Sequence, residues 1–273
     1  MNVEEDLKKY RIKPGSAVRL EDWDPNDKGK YKGGKEDARE DLLRLSEELD
    51  KLQDLLFAER EHRLLVVLQA MDTGGKDGTI RSVFNSVDPL GVRVASFKAP
   101  SAEERDHDYL WRIHRQTPGK GEIVIFNRSH YEDVLIARVE ELVPKQVWKR
   151  RFDQINNFER MLAEEGTTIL KFYLHISRDE QKTRLQSRLD DPSKQWKFNP
   201  DDLKTRARWD DYMRAYEDVL ARTSTEHAPW YVVPANRKWF RNLFVAAAII
   251  TTLRGLKMAY PPIEYDPAGI TID

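Results

Sequence analysis

Between Ala70 and Thr79 the chain reads AMDTGGKDGT, ten positions that hold three glycines, one lysine and two aspartates. Residues of these types at this spacing can seat phosphate. Gly74, Gly75 and Gly78 let backbone N–H groups turn toward an anion, a following helix adds its positive end, and Lys76 supplies a full charge. The preceding LLVVLQ reads as a strand and the residues after the loop as a helix, which is the setting the phosphate-loop motif GxxxxGK[ST] requires. A glycine-rich turn with a chance lysine is the competing reading, and the fit of both flanking elements argues against it. The chemistry expected is phosphoryl transfer.

Two departures sharpen that expectation. Ala70 replaces the first glycine of the motif, and Asp77 stands where a Mg²⁺-binding Ser or Thr usually follows the lysine. Thr79 is a further loop residue within reach of phosphate, without being a clear substitute for that hydroxyl. Asp72 places a carboxylate inside an anion cradle, where it repels phosphate unless it faces a divalent ion or an attacking acceptor oxygen. The plainer role for Asp72 is a turn aspartate capping local N–H groups.

A second motif closes the apolar run in GEIVIFNRSHYEDV. Phosphate-loop ATPases usually end this strand with an aspartate that holds Mg²⁺; here Asn127 and Arg128 stand there. Arg128 at a strand tip can reach a migrating phosphoryl group, which suits transfer to an acceptor other than water. Glu132 and Asp133 follow within one helical turn and are candidates for the missing metal carboxylate, or else ordinary charges at a helix start. His130 is expected to make a local hydrogen bond.

These residues need a scaffold, and the texture of the chain supplies one. Short apolar runs at Leu64–Gln69, Val92–Phe97, Ile123–Phe126, Ile169–Ile176 and Tyr231–Val233 alternate with amphipathic segments, the pattern of an α/β protein with a parallel sheet. Helices are expected near Asp77–Val87, Ala102–Gln116, Pro144–Glu165, Arg178–Leu189, Asp201–Arg222 and Lys238–Lys257. Ligands of such sheets bind beyond the carboxyl ends of the strands. Residues 1–34 read as an extended arm. From Lys35 to Glu61, leucines at 42, 45, 49, 52 and 56 form a helical seam, expected to pack on the body of the chain rather than to self-associate. The domain division is therefore 1–61, an arm and long helix, and 62–273, the core.

The totals narrow the partners. With 46 basic against 47 acidic residues the net charge is −1, so no nucleic acid is expected to bind through the overall field. The absence of cysteine fits a reducing, cytoplasmic setting. No membrane role is expected, because the longest apolar stretch, Leu243 to Leu253, is too short to span a bilayer. The histidines show no paired ligand spacing for a zinc site.

Taken together, AMDTGGKDGT, FNRSHYEDV and the later DDPSKQWKF resemble the polyphosphate kinase 2 family, in order and over most of the chain. The resemblance implies a thymidylate-kinase-like P-loop core in a three-layer sandwich, with a helical lid over about 178–210 and the N-terminal helical extension. It implies reversible transfer of phosphate from inorganic polyphosphate to AMP, ADP or both, with Mg²⁺ (Mn²⁺ as an alternative ion) and no organic cofactor. Adenine nucleotides are the implied acceptors, with guanine nucleotides a second class, and a homo-oligomer is implied. By matched position Asp72, Lys76, Asn127 and Arg128 are implied active-site residues, although many members carry aspartate where Asn127 stands. The NRSHYED form resembles the branch that accepts both mono- and diphosphates.

Within the lid, Arg184 and Arg188 lie one helical turn apart and can face one site, followed by Lys194 and Lys197. A solvated, ion-paired helix is the alternative for each. A polyphosphate chain needs a basic track, for which Lys76, Arg81, Arg112 and Arg115 are candidates. Trp196 and Phe198 can bracket a nucleobase, with core packing as the commoner fate of an aromatic. Two rival functions stand beside this reading: a nucleoside monophosphate kinase that uses ATP alone, and a nucleotide-binding assembly module acting through the leucine seam.

Overall fold

The five apolar runs form five parallel strands: β1 (Arg63–Gln69), β2 (Val92–Ser96), β3 (Ile123–Asn127), β4 (Thr167–His175) and β5 (Trp230–Pro234). This is a computed structural model describing residues 3–272; the arm and domain bounds expected at residues 1 and 273 lie outside it. The strands order as β2-β3-β1-β4-β5, with Val66 of β1 opposite Ile125 of β3 and Leu170 of β4. Leu64 to Leu68 are at most 1% exposed. So unbroken an apolar run is what a parallel strand covered on both faces requires, and it is why these strands could be read.

Helices cover both faces. One layer is built on α11 (Lys238–Gly255), which packs on β4 and β5 and carries α1 (Val3–Tyr10), α2 (Lys35–Glu59) and α3 (Lys76–Val83). The other is built on α7 (Lys145–Glu164), which packs on β4, with α10 (Trp209–Thr223) against it and α6 (Ile136–Val139) beside both. The leucine seam of α2 packs inward: Leu49 and Leu56 are fully buried, and Leu42, Leu45 and Leu52 lie against the core. Among the described residues no helix is long and apolar enough to cross a membrane.

Three segments differ from their sequence reading, each for a local reason. The arm begins as a helix, α1, then runs along the sheet edge, where the Ile12 N–H donates to the Trp230 carbonyl at 2.8 Å and Arg11 bridges Tyr231 antiparallel. The helix expected over 102–116 is two, α4 (Ala102–Asp106) and α5 (Trp111–His114), because the Asp108 carboxylate accepts the Leu110 N–H and restarts the chain. The helix expected over 201–222 breaks at Arg208, whose N–H donates to Thr205 in a tightened turn between α9 (Asp201–Ala207) and α10. The remaining helix, α8 (Arg178–Asp190), lies close to its expected bounds.

Candidate active site

The outgoing connections of β1 and β3 leave in opposite directions along the sheet, so their carboxyl ends frame the crevice where such folds bind ligands. Both motifs emerge there. Residues 70–75 leave β1 as a tight loop, closed by the Gly74 N–H donating to the Met71 carbonyl at 2.9 Å, and α3 begins at Lys76. Ala70 explains a glycine: a Cβ on Gly74 would lie 2.5 Å from the Ala70 Cβ. Gly75 has φ +108°, which side chains rarely tolerate. Thr73 and Arg128 adopt φ values of 61° and 62° without being glycine. Such strain, in a β-branched residue above all, clusters where backbone is held for function.

The Lys76 ammonium donates to the Ala70 carbonyl at 2.9 Å. Burial lowers its pKa, with the Arg128 charge adding to this, while Asp72, Glu132 and Asp77 pull the other way. Arg128 donates to the Asp72 carboxylate at 3.1 Å, and its backbone N–H is pinned to Leu68 of β1. Burial opposes the Arg128 charge, and Glu132 and Asp72 more than restore it. Asn127 donates to the Asp77 carboxylate at 2.7 Å. The two unusual motif positions thus touch: the carboxylate missing from the strand tip has its counterpart one residue after the lysine.

Five of the expected site residues therefore stand together: Asp72, Lys76, Asn127, Arg128 and Glu132. Asp133, one position on in the same tight turn, faces elsewhere. Its carboxylate pairs with Arg151 at 3.2 Å, and burial raises its pKa against the pull of Arg151 and Arg112. Arg112 is itself buried at the tip of β2, donating to the Lys98 carbonyl at 2.8 Å. The Thr79 hydroxyl donates to Gly75 within its own helix at 3.1 Å and is buried. Gly78 and Arg81 lie exposed along α3.

The lid residues divide. Arg184 does not extend a free charge to the site: its N–H groups donate to Glu180, to the Thr73 and Gly74 carbonyls, and to the Ala235 and Asn236 carbonyls. It fastens the back of the loop to α8 and to the turn after β5. Arg188 donates to the Lys197 carbonyl and to Asp202 at 3.3 Å. Lys194 pairs with Asp191, and the Lys197 ammonium lies over Trp196, which is 78% exposed and packs in no core.

Three contributors escaped the sequence reading. Gln181 donates to the Asp72 carbonyl at 3.1 Å, steadying the loop from α8. The Asp202 pKa rises to about 6 through burial and the nearby Asp72 charge, against the pull of Arg188, Arg128 and Lys76, so α9 closes on the crevice. Arg241 of α11, 2% exposed, presses the Nη1 end of its guanidinium against the loop, 1.8 Å from where a Cβ on Gly75 would lie. Nothing local singles it out: α11 opens with Lys238, carries Arg241 and Asn242 side by side and has Arg254 in its last turn.

A parallel sheet whose middle strand opens into a glycine loop and lysine, faced by an arginine from the neighbouring strand, defines a P-loop phosphotransferase. The family model described as Polyphosphate kinase 2 matches residues 32–260. The chain belongs to that family. It is 58% identical over 267 residues to the AMP/ADP-polyphosphate phosphotransferase of Meiothermus ruber, covering 98% of this chain and 100% of the relative. The ADP-polyphosphate phosphotransferase of Rhodopseudomonas palustris is 46% identical over 273 residues, covering 96% and 93%. Among solved structures, polyphosphate kinase 2 from Arthrobacter aurescens superposes with a TM-score of 0.93 at 46% identity, covering 97% of this chain and 94% of that one.

Proposed function

We propose that this chain transfers phosphoryl groups reversibly between inorganic polyphosphate and adenine nucleotides, accepting both AMP and ADP. The observation that carries the reading is the convergence of Lys76, Arg128 and Asp72 at the carboxyl ends of β1 and β3. The relative from Meiothermus ruber, named for both acceptors and matched along its whole length, supports the acceptor class.

Transfer proceeds by in-line displacement. An oxygen of the acceptor's terminal phosphate attacks the end phosphorus of the chain, the new P–O bond forms as the bond to the bridging oxygen breaks, and polyphosphate leaves one unit shorter. The attacking oxygen is already anionic near neutral pH, so no general base is needed. Lys76 and Arg128 neutralise the migrating group while the loop N–H groups hold the neighbouring phosphate. Asp72, fixed by Arg128 on one side and Gln181 on the other, orients the acceptor end.

A divalent ion fits this donor set as a guest of the phosphates. Among the described residues no three His, Asp or Glu side chains gather to hold one alone, and Mg²⁺ characteristically takes one or two carboxylates together with substrate oxygens and water. Asp72 and Glu132 are the residues that would hold it, and Mg²⁺ or Mn²⁺ would supply charge neutralisation across the phosphates. Arg81, Lys194 and Lys197 remain exposed cations for the chain's path. Arg112, Arg184 and Arg188 act behind it, by fixing strand tip, loop and lid. Guanine nucleotides as further acceptors and a homo-oligomer rest on the family likeness; a cytoplasmic setting fits the cysteine-free chain.

The deciding experiment incubates the protein with polyphosphate, Mg²⁺ and either AMP or ADP and follows ADP and ATP by chromatography. Both products are expected without added ATP; product that appears only with ATP as donor would make this an ATP-dependent nucleoside monophosphate kinase.

A further inference from the structure

Arg241 stands out among the buried cations of this protein. It makes no ion pair among the described residues. Its Nε and Nη2 donate to the Asn242 side-chain oxygen at 3.0 and 2.8 Å, and Nη1 reaches the Gly74 carbonyl at 3.4 Å. Burial and the neighbouring Arg184 push its pKa down to about 9. Arg184 converges on the same Gly74 carbonyl at 3.1 Å, and Glu180 is the carboxylate that answers it. Two guanidinium groups thus press on one loop with one carboxylate between them.

A buried cation without a counter-charge is costly, and proteins usually remove the cost by pairing. Here Asn242 holds the guanidinium with its Nη1 end against Gly75, so closely that a Cβ there would overlap Nη1. A Cβ on Gly78 would also lie 3.3 Å from Nη2. The open side of that loop is the phosphate seat.

We propose that Arg241 is a positioning residue whose charge is answered by the phosphate chain itself, acting through the one-residue wall of Gly74 and Gly75 without touching the ligand. The inference rests on the reading of the loop as a polyphosphate seat. It gives Gly75 a second duty, since only glycine admits the guanidinium behind the loop. It also separates the roles of the two arginines: Arg184 shapes the loop through hydrogen bonds, and Arg241 charges it. A unit charge at ~6–8 Å from a ligand phosphate, in an effective dielectric of ~20, corresponds to a change in affinity of about 30- to 100-fold.

Calorimetric titration with inorganic tripolyphosphate, on wild type, K76A, R241M and R241K, tests this, together with melting temperatures measured without ligand. R241M is expected to weaken binding about 30- to 100-fold while its ligand-free melting temperature stays level or rises, because an unanswered buried charge has been removed. R241K, which keeps the charge but loses the fork to Asn242, is expected to bind within about threefold of wild type. A merely structural arginine would give the opposite pattern, a lower melting temperature with affinity intact. Wild-type binding by R241M overturns the inference, as does an equal loss in R241M and R241K. Should R241M fail to fold, a loss above about tenfold in R241K overturns it and binding within threefold upholds it. Failure of the seat itself reads differently: wild type would not bind tripolyphosphate, or K76A would bind it as well as wild type.

Discussion

Lys171 and Arg241 are almost equally hidden from solvent, at 0% and 2% exposure, and the protein treats them in opposite ways. The Lys171 ammonium donates to Glu159 at 2.6 Å, to the Tyr131 hydroxyl at 2.8 Å and to the Thr223 carbonyl at 2.7 Å, so all three protons are used. The Glu159 carboxylate accepts the Tyr131 hydroxyl at 2.7 Å and lies 3.1 Å from His130 Nε2. Burial works against the charge of Glu159, and Lys171 and His130 overcome it, leaving its pKa below the usual range. This network lies directly behind the turn that carries Arg128 and Glu132, and it holds that turn to α7 and β4. Behind the loop, by contrast, Arg241 has a side-chain amide and a carbonyl but no anion. Lys171, which maintains structure, is neutralised by the protein; Arg241, behind the loop, is left for the ligand to neutralise.

The contrast breaks most visibly at Glu159. Glu159→Gln strands Lys171 in the core and is expected to cost about 3–5 kcal/mol in chemical denaturation; a loss below about 1 kcal/mol would show that the network does not hold the turn. On the ligand side, Lys76→Ala should lower turnover about 10²- to 10³-fold, with the unfolding midpoint unchanged, as read by ATP formation from polyphosphate and ADP. Near-normal turnover would remove Lys76 from the chemistry. Arg184→Gln cuts a many-armed tie and should cost about 2 kcal/mol of stability, measured by thermal unfolding. If it left stability intact and weakened only tripolyphosphate binding, Arg184 would belong with Arg241.

The smallest effect sits on the lid. Asp202 holds its proton up to about pH 6 in the folded protein, whereas an ordinary aspartate releases it near 3.8. The folded state therefore binds more protons than the unfolded one across that window, and stability falls as pH rises through it. Asp202→Asn should stabilise by about 1 kcal/mol at pH 8, after allowance for solvent screening, and by nothing below pH 4. A pH-independent difference between variant and wild type would show that the carboxylate does not feel Asp72.

What could be read beforehand was whatever depends on neighbours in sequence. The strands β1, β3, β4 and β5 announced themselves because both of their faces are covered, and the loop because its glycines, lysine and flanking elements lie within one short segment. Arg241 was illegible because its meaning comes from α11 packing beside α3, an adjacency between positions far apart in the chain. Arg184 was expected to face the site beside Arg188, and it meets loop carbonyls instead: a guanidinium that meets carbonyls binds backbone, and spacing on a helix does not say which it meets. Glu132 and Asp133 looked equivalent as letters, yet consecutive residues of a tight turn point apart, one toward Lys76 and the other toward Arg151. Trp196 shows the limit of composition, an aromatic among charges that is left in solvent.

The arm along β5 bears on how this enzyme should be handled. The family match starts at residue 32, yet Tyr10, Ile12 and Leu20 are built into the interior and the Ile12 amide occupies the outer rung of the ladder at Trp230. Trimming the chain to the matched segment would uncover a raw strand margin beside an apolar hollow, and such margins recruit other chains. A shortened version is therefore expected to clump before it loses its catalytic loop, a failure of solubility that an activity assay alone would mistake for a failure of chemistry.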